Sequence, residues 1–437
     1  MTDPRYLAVK LLSKTFSSGS YSNIQLNFGL NDSDLSERDK KLCSAVYYGV
    51  IERKITLDHI ISGLSSRPLN KLDDIVLNIL RCGIYQIMYM DNIPDNAAVN
   101  ESVTLAKTFK KSSASGMVNA VLRNFIRQGK KIALPKNSAE AMSIEYSAPL
   151  WLVKKLSEEY SPELAENLLS DSLGRPPVTV RVNTTLTSDD EFSALWKDCG
   201  VTVSDVLPHC FHFSETDPVH SDAFVKGLFH VQDLASQLCC MAISPTENDT
   251  VLDICAAPGG KTFTMAEMMG GKGTIMAFDL HEKRVKLIRD GAERLKLSNI
   301  TANTGDASVF NDELPKFTKI LCDVPCSGLG AIRRKPEIKY KNPVEFENLP
   351  DIQYKIAQNA LNYLADGGEM VYSTCTLSKA ENDDVVQKLL DNNPCLEPVT
   401  LPSPLGDRFG CKAGIFPCHF GSDGFFIAKF KKTVFRQ

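Results

Sequence analysis

Apolar residues recur along this chain in three rhythms, and each change of rhythm marks a change of architecture. In LDDIVLNILRCGIYQI, Leu72, Ile75, Val76, Ile79, Leu80, Ile84 and Ile87 step by threes and fours, the stripe of one amphipathic helix. Asn70, just after Pro68, is placed to cap it. Similar spacing predicts helices near 5–18, 36–51, 97–109 and 116–128, so residues 1–135 should form a compact helical bundle. GKKIALPKNSAEAMSIEYSAP (129–149) reads as a linker. From 146 to about 240 the signals mix. A helix over 151–159 precedes an alternating strand, VTVRVN (178–183). A second strand, GLFHVQD (227–233), precedes a helix, LASQLCCMAI (234–243). A small α+β insert at 146–240 is expected.

Over 241–437 the grammar is strand–helix alternation. Short apolar runs close on a polar residue in TVLDIC (250–255), TIMAFD (274–279), ITANT (300–304), KILCD (319–323), GEMVYS (368–373) and FFIAKF (425–430). Helical stretches fall near 261–269, 282–296, 351–364 and 380–392. This predicts a doubly wound, mostly parallel, Rossmann-like sheet, whose ligands bind beyond the carboxyl ends of the strands. The expected fold is therefore multidomain: an all-α bundle, a small α+β insert, then an α/β domain.

With 43% apolar and 23% charged residues in 437, disordered and fibrous classes are excluded. No apolar run is long enough to span a membrane, and MTDPRYLAVKLLSK lacks a signal peptide's core, so the expected location is the cytoplasm with no membrane partner. The thirteen cysteines include no CxxC, which argues for reduced thiols. His209, Cys210, His212 and His220 do not supply four ligands at zinc spacing, so no metal is expected.

The net charge of −4 hides an asymmetry: residues 1–150 carry 19 basic and 14 acidic side chains, the remainder 30 and 39. Within 101–136 there are eight basic residues, among them Lys110, Lys111, Lys130 and Lys131, against one acid. A second cluster holds Arg333, Arg334, Lys335, Lys339 and Lys341 against Glu337. Clustered cations of this kind suit a phosphate backbone, although one such run alone is more often a solvated helix face.

The chemistry sits at the predicted strand ends. DICAAPGGKT (253–262) is a strand-to-helix turn in which Gly259 and Gly260 allow close backbone approach to a ligand. It has neither P-loop nor GxGxxG spacing, which disfavours nucleoside triphosphates and nicotinamides. Asp279 closes the next strand, where an acid accepts ribose hydroxyls, and Asp306 follows the third, where it could bind an adenine amino group. Each acid alone is more simply a turn residue. Together they describe an adenosine cofactor with little need for phosphate binding, and S-adenosylmethionine suits that description. CDVPCSGLG (322–330) and STCTLSKAEN (373–382) then bring Asp323, Cys326 and Cys375 to the same edge, which suggests nucleophilic catalysis.

These motifs resemble those of the RNA 5-methylcytosine methyltransferases that use S-adenosylmethionine, as do RVN (181–183), HVQD (230–233) and FGSDGFFIAKF (420–430). NAAVNESVTLAK (96–107) and GMVNAVLRNF (116–125) resemble a NusB-like RNA-binding domain. The pairing is similar to the bacterial ribosomal RNA small-subunit methyltransferase B subfamily, also called Fmu or Sun. The resemblance implies methylation of carbon 5 of a cytosine in 16S ribosomal RNA, as free RNA or an early small-subunit assembly intermediate, by a monomer.

A thiolate adding to carbon 6 makes the ring an enamine whose carbon 5 can attack a methylsulfonium, and Asp323 can assist at nitrogen 3 if protonated. Lys261 can favour the thiolate. Position alone does not say which cysteine attacks. The resemblance implies that Cys375 does and that Cys326 serves product release. It also implies that Cys255, Ala256, Ala257, Pro258, Gly259, Gly260, Lys261, Asp279, Asp306 and Asp323 line the cofactor site, and it places Arg181 with the RNA-binding residues. Glu337 stands where that family usually has aspartate.

Overall fold

A computed structural model describes residues 3–18, 22–197, 199–214 and 216–433. The chain divides into two compact units, one running to Leu173 and including Arg334–Lys341, the other comprising Gly174–Arg333 and the residues from Asn342 on. These limits do not coincide with the expected divisions at 135 and 240.

The first unit is helical. Its central helix, Asp74–Tyr89, carries the apolar stripe noted above and is buried nearly all round. Buried polar groups on it are satisfied: Arg81 donates to both oxygens of Asp58 (2.6 and 2.8 Å), and Gln86 accepts from Arg5 (2.7 Å). Its cap is Asp73, whose carboxylate accepts from the amides of Ile75 and Val76, and not Asn70, which lies in a 3₁₀ turn at Leu69–Lys71. Around it stand the expected helices, observed at Pro4–Ser18, Glu37–Glu52, Asp95–Thr108 and Ser115–Arg127. Ser22–Asn31 and Lys54–Leu64 are additional. The expected linker contains a helix, Ser138–Glu145, started by the Asn137 side chain accepting from the Glu140 amide.

The segment 334–341 packs into this same unit. Glu337 accepts from the amide (3.0 Å) and hydroxyl (2.7 Å) of Ser22 at the start of a helix, and Tyr340 donates to the Ile51 carbonyl (2.8 Å). Lys339 is 1% exposed and donates to the Glu52 carbonyl (2.7 Å); burial pushes its pKa down to about 7. A basic loop free to grip RNA is therefore not what Lys339 belongs to.

The second unit contains two sheets. The smaller is antiparallel, with strands β1 (Val178–Val182), β2 (Val201–Val203), β3 (Cys210–Phe213) and β4 (Phe229–Val231) in the order β2-β3-β1-β4. One face, with Val180, Val182, Phe211, Phe213 and Phe229, packs on Phe192 and Trp196. The alternate positions are also covered: Thr179, Arg181 and His230 are all buried.

The larger sheet holds β5 (Thr250–Asp253), β6 (Thr274–Asp279), β7 (Ile300–Thr304), β8 (Phe317–Asp323), β9 (Leu364–Thr374), β10 (Leu396–Pro398), β11 (Lys412–Ile415) and β12 (Phe425–Lys432). Its order is β10-β12-β9-β8-β5-β6-β7, with β11 also pairing to β12. From β7 to β9 all neighbours are parallel, while β12 runs antiparallel to β9. The register sets Asp253 against Ala277 and Leu321, and Asp323 against Ser373, so the polar strand ends emerge along one edge. Buried apolar side chains fill both sides of the sheet, as parallel strands require.

Candidate active site

The turn after β5 leaves the sheet through Ile254 and Cys255, passes a cis Ala257–Pro258 peptide and enters the helix Gly260–Met268. Gly259 sits at φ 111°, a backbone that side chains disfavour, and a Cβ there would lie 2.4 Å from the Phe263 ring. At Gly260, the first residue of the helix, a Cβ would rest in ordinary contact with Gln232 at 3.8 Å, so here the turn packs without strain. The Ala256 amide donates to the Phe278 carbonyl (2.7 Å), which ties the turn to the end of β6.

There Asp279 is 4% exposed; its carboxylate accepts from the His281 amide (3.2 Å) and faces Arg284 (3.2 Å). Arg284 also donates to the Ala257 carbonyl (2.9 Å), spanning the turn and the acid. The main-chain carbonyl of Asp279 accepts from Gly305 (3.0 Å), beside Asp306. Asp306 is exposed, and hydrogen bonds from the hydroxyl and amide of Ser308 (2.7 and 2.9 Å) hold its pKa below the ordinary value.

At the ends of β8 and β9 the chemistry is denser. Lys261 donates to Asp323 (2.8 Å), and Ser373 donates to the other Asp323 oxygen (2.9 Å). Burial opposes charge on Lys261, but the Asp323 carboxylate prevails and its pKa is raised. Beside this pair the sulfurs of Cys326 and Cys375 lie 3.3 Å apart. The hydrogen bond with Cys375, together with burial, drives the Cys326 pKa well up.

Two thiols and an ammonium–carboxylate pair thus stand at adjacent strand ends. The matching family model over residues 240–431 is 16S rRNA methyltransferase RsmB/F. Residues 2–127 match the NusB family, and 148–220 match the RsmF/B-like ferredoxin-like domain. The "Probable ribosomal RNA small subunit methyltransferase B" of Bacillus subtilis (strain 168) is 34% identical over 99% of both chains. This chain belongs to the RsmB/F family of 16S rRNA methyltransferases.

The ribosomal RNA small subunit methyltransferase B of Escherichia coli O1:K1 / APEC is 32% identical over 91% of this RsmB/F chain and 92% of its own. Among solved structures, PH0851 superposes with a TM-score of 0.82 at 22% identity, covering 99% of each chain. NSun6 from Pyrococcus horikoshii, solved with SFG, gives 0.59 at 22% identity, over 65% of this chain and 98% of that one. These likenesses establish the fold: a NusB helical domain, a ferredoxin-like domain and a Rossmann-like methyltransferase domain.

Asp279 and Asp323 are the last residues of β6 and β8, Cys375 follows β9 directly, and Asp306 and Cys326 lie two and three residues past β7 and β8; Arg181 is placed differently. Arg181, expected to contact RNA, is 5% exposed and paired with Glu267 (3.1 Å), a side chain with no exposure of its own. His230 of HVQD faces the same Glu267 (3.2 Å), and Gln232 accepts from Thr264 (2.5 Å), so RVN and HVQD buttress the helix Gly260–Met268. Arg284, Ser373 and Glu381 went unread in the sequence. Arg284 follows Asp279 by five residues, the one local signal among them.

Proposed function

We propose that the chain transfers a methyl group from S-adenosylmethionine to carbon 5 of a cytosine in 16S ribosomal RNA, with Cys375 as nucleophile and Cys326 in product release. The observation that carries this is the pair of sulfurs 3.3 Å apart beside Lys261 and Asp323. The residues fit the cofactor. The backbone of the Gly259–Gly260 turn offers a helix N-terminus to its amino-acid moiety, the buried Asp279 carboxylate suits a ribose diol, and Asp306 suits the adenine edge. Cys255, Ala256, Ala257 and Pro258 complete that wall. When bound, the cofactor supplies an electrophilic methyl group.

Burial and the hydrogen bond with Cys375 favour the protonated form of Cys326, which suits it to the release step rather than to attack. Addition of the Cys375 thiolate to carbon 6 makes carbon 5 nucleophilic. After methyl transfer a base removes the carbon 5 proton, the 5–6 double bond reforms and the Cys375 thiolate leaves. Lys261 and Ser373 hold Asp323 at the base-binding edge. Free RNA or an early assembly intermediate is the substrate form, bound by a monomer in the cytoplasm through Lys110, Lys111, Lys130, Lys131, Arg333 and Arg334, on a chain divided functionally at 1–135, 146–240 and 241–437.

The two cysteines test the reading because they should fail differently. Cys375→Ala should abolish turnover with no covalent RNA adduct. Cys326→Ala should trap protein on methylated RNA as a nuclease-sensitive shifted band on a denaturing gel. The band appearing with Cys375→Ala instead would invert the assignment, and no band from either variant would remove the covalent step.

A further inference from the structure

A single buried carboxylate grips the residue that follows each thiol. Glu381 lies just ahead of the helix Asp383–Asn392 and is 2% exposed. One of its oxygens accepts from the Ser327 amide (2.8 Å) and from Gln353 Nε2 (2.9 Å); the other accepts from Ser327 Oγ (2.6 Å). Ser327 Oγ is in turn 2.7 Å from Thr376 Oγ1. Ser327 follows Cys326 and Thr376 follows Cys375, so the carboxylate joins the two turns that carry the sulfurs.

The surrounding bonds tighten the same two turns. Gln353 also donates to the Pro325 carbonyl (2.9 Å), on the other side of Cys326. Asn382 accepts from Thr374 Oγ1 (2.5 Å) and donates to the Thr376 carbonyl (3.0 Å), bracketing Cys375. The Tyr372 hydroxyl donates to the main-chain carbonyl of Glu381 (2.6 Å), fixing the carboxylate's own backbone to β9. All of these donors to Glu381 are neutral. Such networks define one geometry because any other leaves buried donors unpaired.

We propose that Glu381 is a positioning residue that sets the spacing and register of Cys326 and Cys375, so that one sulfur can bond the base while the other stands ready for the release step. The catalytic consequence rests on the covalent mechanism proposed above; the thiol spacing does not.

The test uses the full chain with Glu381→Ala and Glu381→Gln. Dibromobimane, which becomes fluorescent on bridging two neighbouring thiols, reads the spacing without substrate, and Cys326→Ser subtracts bridging at other cysteines. In Glu381→Ala the Ser327 amide loses its acceptor, bridging should slow, and kcat should fall on the order of 100-fold, as for an ångström-scale misplacement. KM for RNA and cofactor affinity should stay near the parent's. Glu381→Gln keeps an oxygen for the Ser327 amide and an amide for its hydroxyl, so it should recover most of both losses.

Parent-like bridging and kcat in Glu381→Ala would overturn the proposal. So would loss of cofactor binding in step with kcat, the mark of a merely structural role. Should Glu381→Ala not fold, Glu381→Asp, whose shorter side chain withdraws the carboxylate from Ser327, takes its place, and parent-like bridging there overturns it equally. Failure of the covalent mechanism shows separately, as no adduct from Cys326→Ala while bridging still depends on Glu381.

Discussion

Asp253 offers a quantitative test of how the site is built. It closes β5 directly beneath the glycine turn, is 1% exposed, and accepts one hydrogen bond, from Thr262 Oγ1 (2.7 Å). Its second oxygen has no donor among the described residues. Burial, reinforced by the Asp323 carboxylate and opposed by Thr262 and Lys261, raises its pKa from 3.8 to about 7. A folded state that binds the proton more tightly than the unfolded chain is stabilised most below the unfolded pKa. That stability is lost as pH rises from about 4 to about 7, then levels off. The whole change is worth about 4 kcal/mol, with a slope of about 1.4 kcal/mol per pH unit inside the window.

Asp253→Asn mimics the protonated carboxyl and still accepts from Thr262. Parent and variant should therefore match near pH 4, and the variant should be the more stable by up to about 4 kcal/mol at pH 8. Urea unfolding followed by Trp196 fluorescence in a Trp151→Phe background reports on the unit that contains Asp253, since Trp196 lies in the same one. Other titrating groups cancel in the difference between the two proteins. A difference that does not vary with pH, or a variant less stable at pH 8, would refute the reasoning.

Gly259→Ala should destabilise the chain by about 1–2 kcal/mol for the left-handed backbone and a further ~1–3 kcal/mol for the clash with Phe263, with S-adenosylmethionine binding lost in calorimetry; an unshifted melt would show that the turn relaxes freely. Asp279→Ala should weaken that binding strongly, and equal affinity would remove Asp279 from the site. Replacing Lys110 and Lys131 with Ala should flatten the salt dependence of RNA binding by roughly 0.7–0.9 per lysine in log–log slope; an unchanged slope would place this face away from RNA.

Much of the α/β domain was legible because its strands are short apolar runs closed by a polar residue. TIMAFD and ITANT mark strands observed over the same residues. GEMVYS begins four residues late because Ala365–Gly368 reads as a turn, and Gly367 indeed has a left-handed φ of 75° inside β9. The unread strands β2, β3, β10 and β11 have only three or four residues each, too few for alternation to show, and long-range antiparallel pairing defines them. SNIQLNFGLN is rich in asparagine with an internal glycine, so packing rather than propensity makes it a helix. At the site, the acids and thiols were legible because each closes a strand or follows one within three residues. Glu381 was not: its bonds reach back 54 residues to Ser327 and 28 to Gln353, and sequence spacing does not encode such contacts.

Reading RNA contacts from the sequence misplaces Arg181 and Lys339, which are buried, and the reason is geometric. A window count assigns each cation to its sequence neighbours, whereas the fold pairs it with whatever packs alongside. Lys111 and Lys130 meet Asp73 (2.5 Å) and Asp95 (2.8 Å), acids outside the eight-to-one window. Those pairs are partly exposed and worth at most about 1 kcal/mol, so a phosphate can displace either carboxylate at little cost. Arg181 differs in kind. Drawing it off Glu267 would strand a fully buried carboxylate, a change that costs about 3–5 kcal/mol and would loosen the helix carrying Lys261. Charge therefore marks an RNA surface only where the counter-ion is itself solvated. By that criterion Lys111 and Lys130 remain exchangeable, while Arg181 belongs to the scaffold behind the glycine turn and Lys339 to the interior of the helical unit.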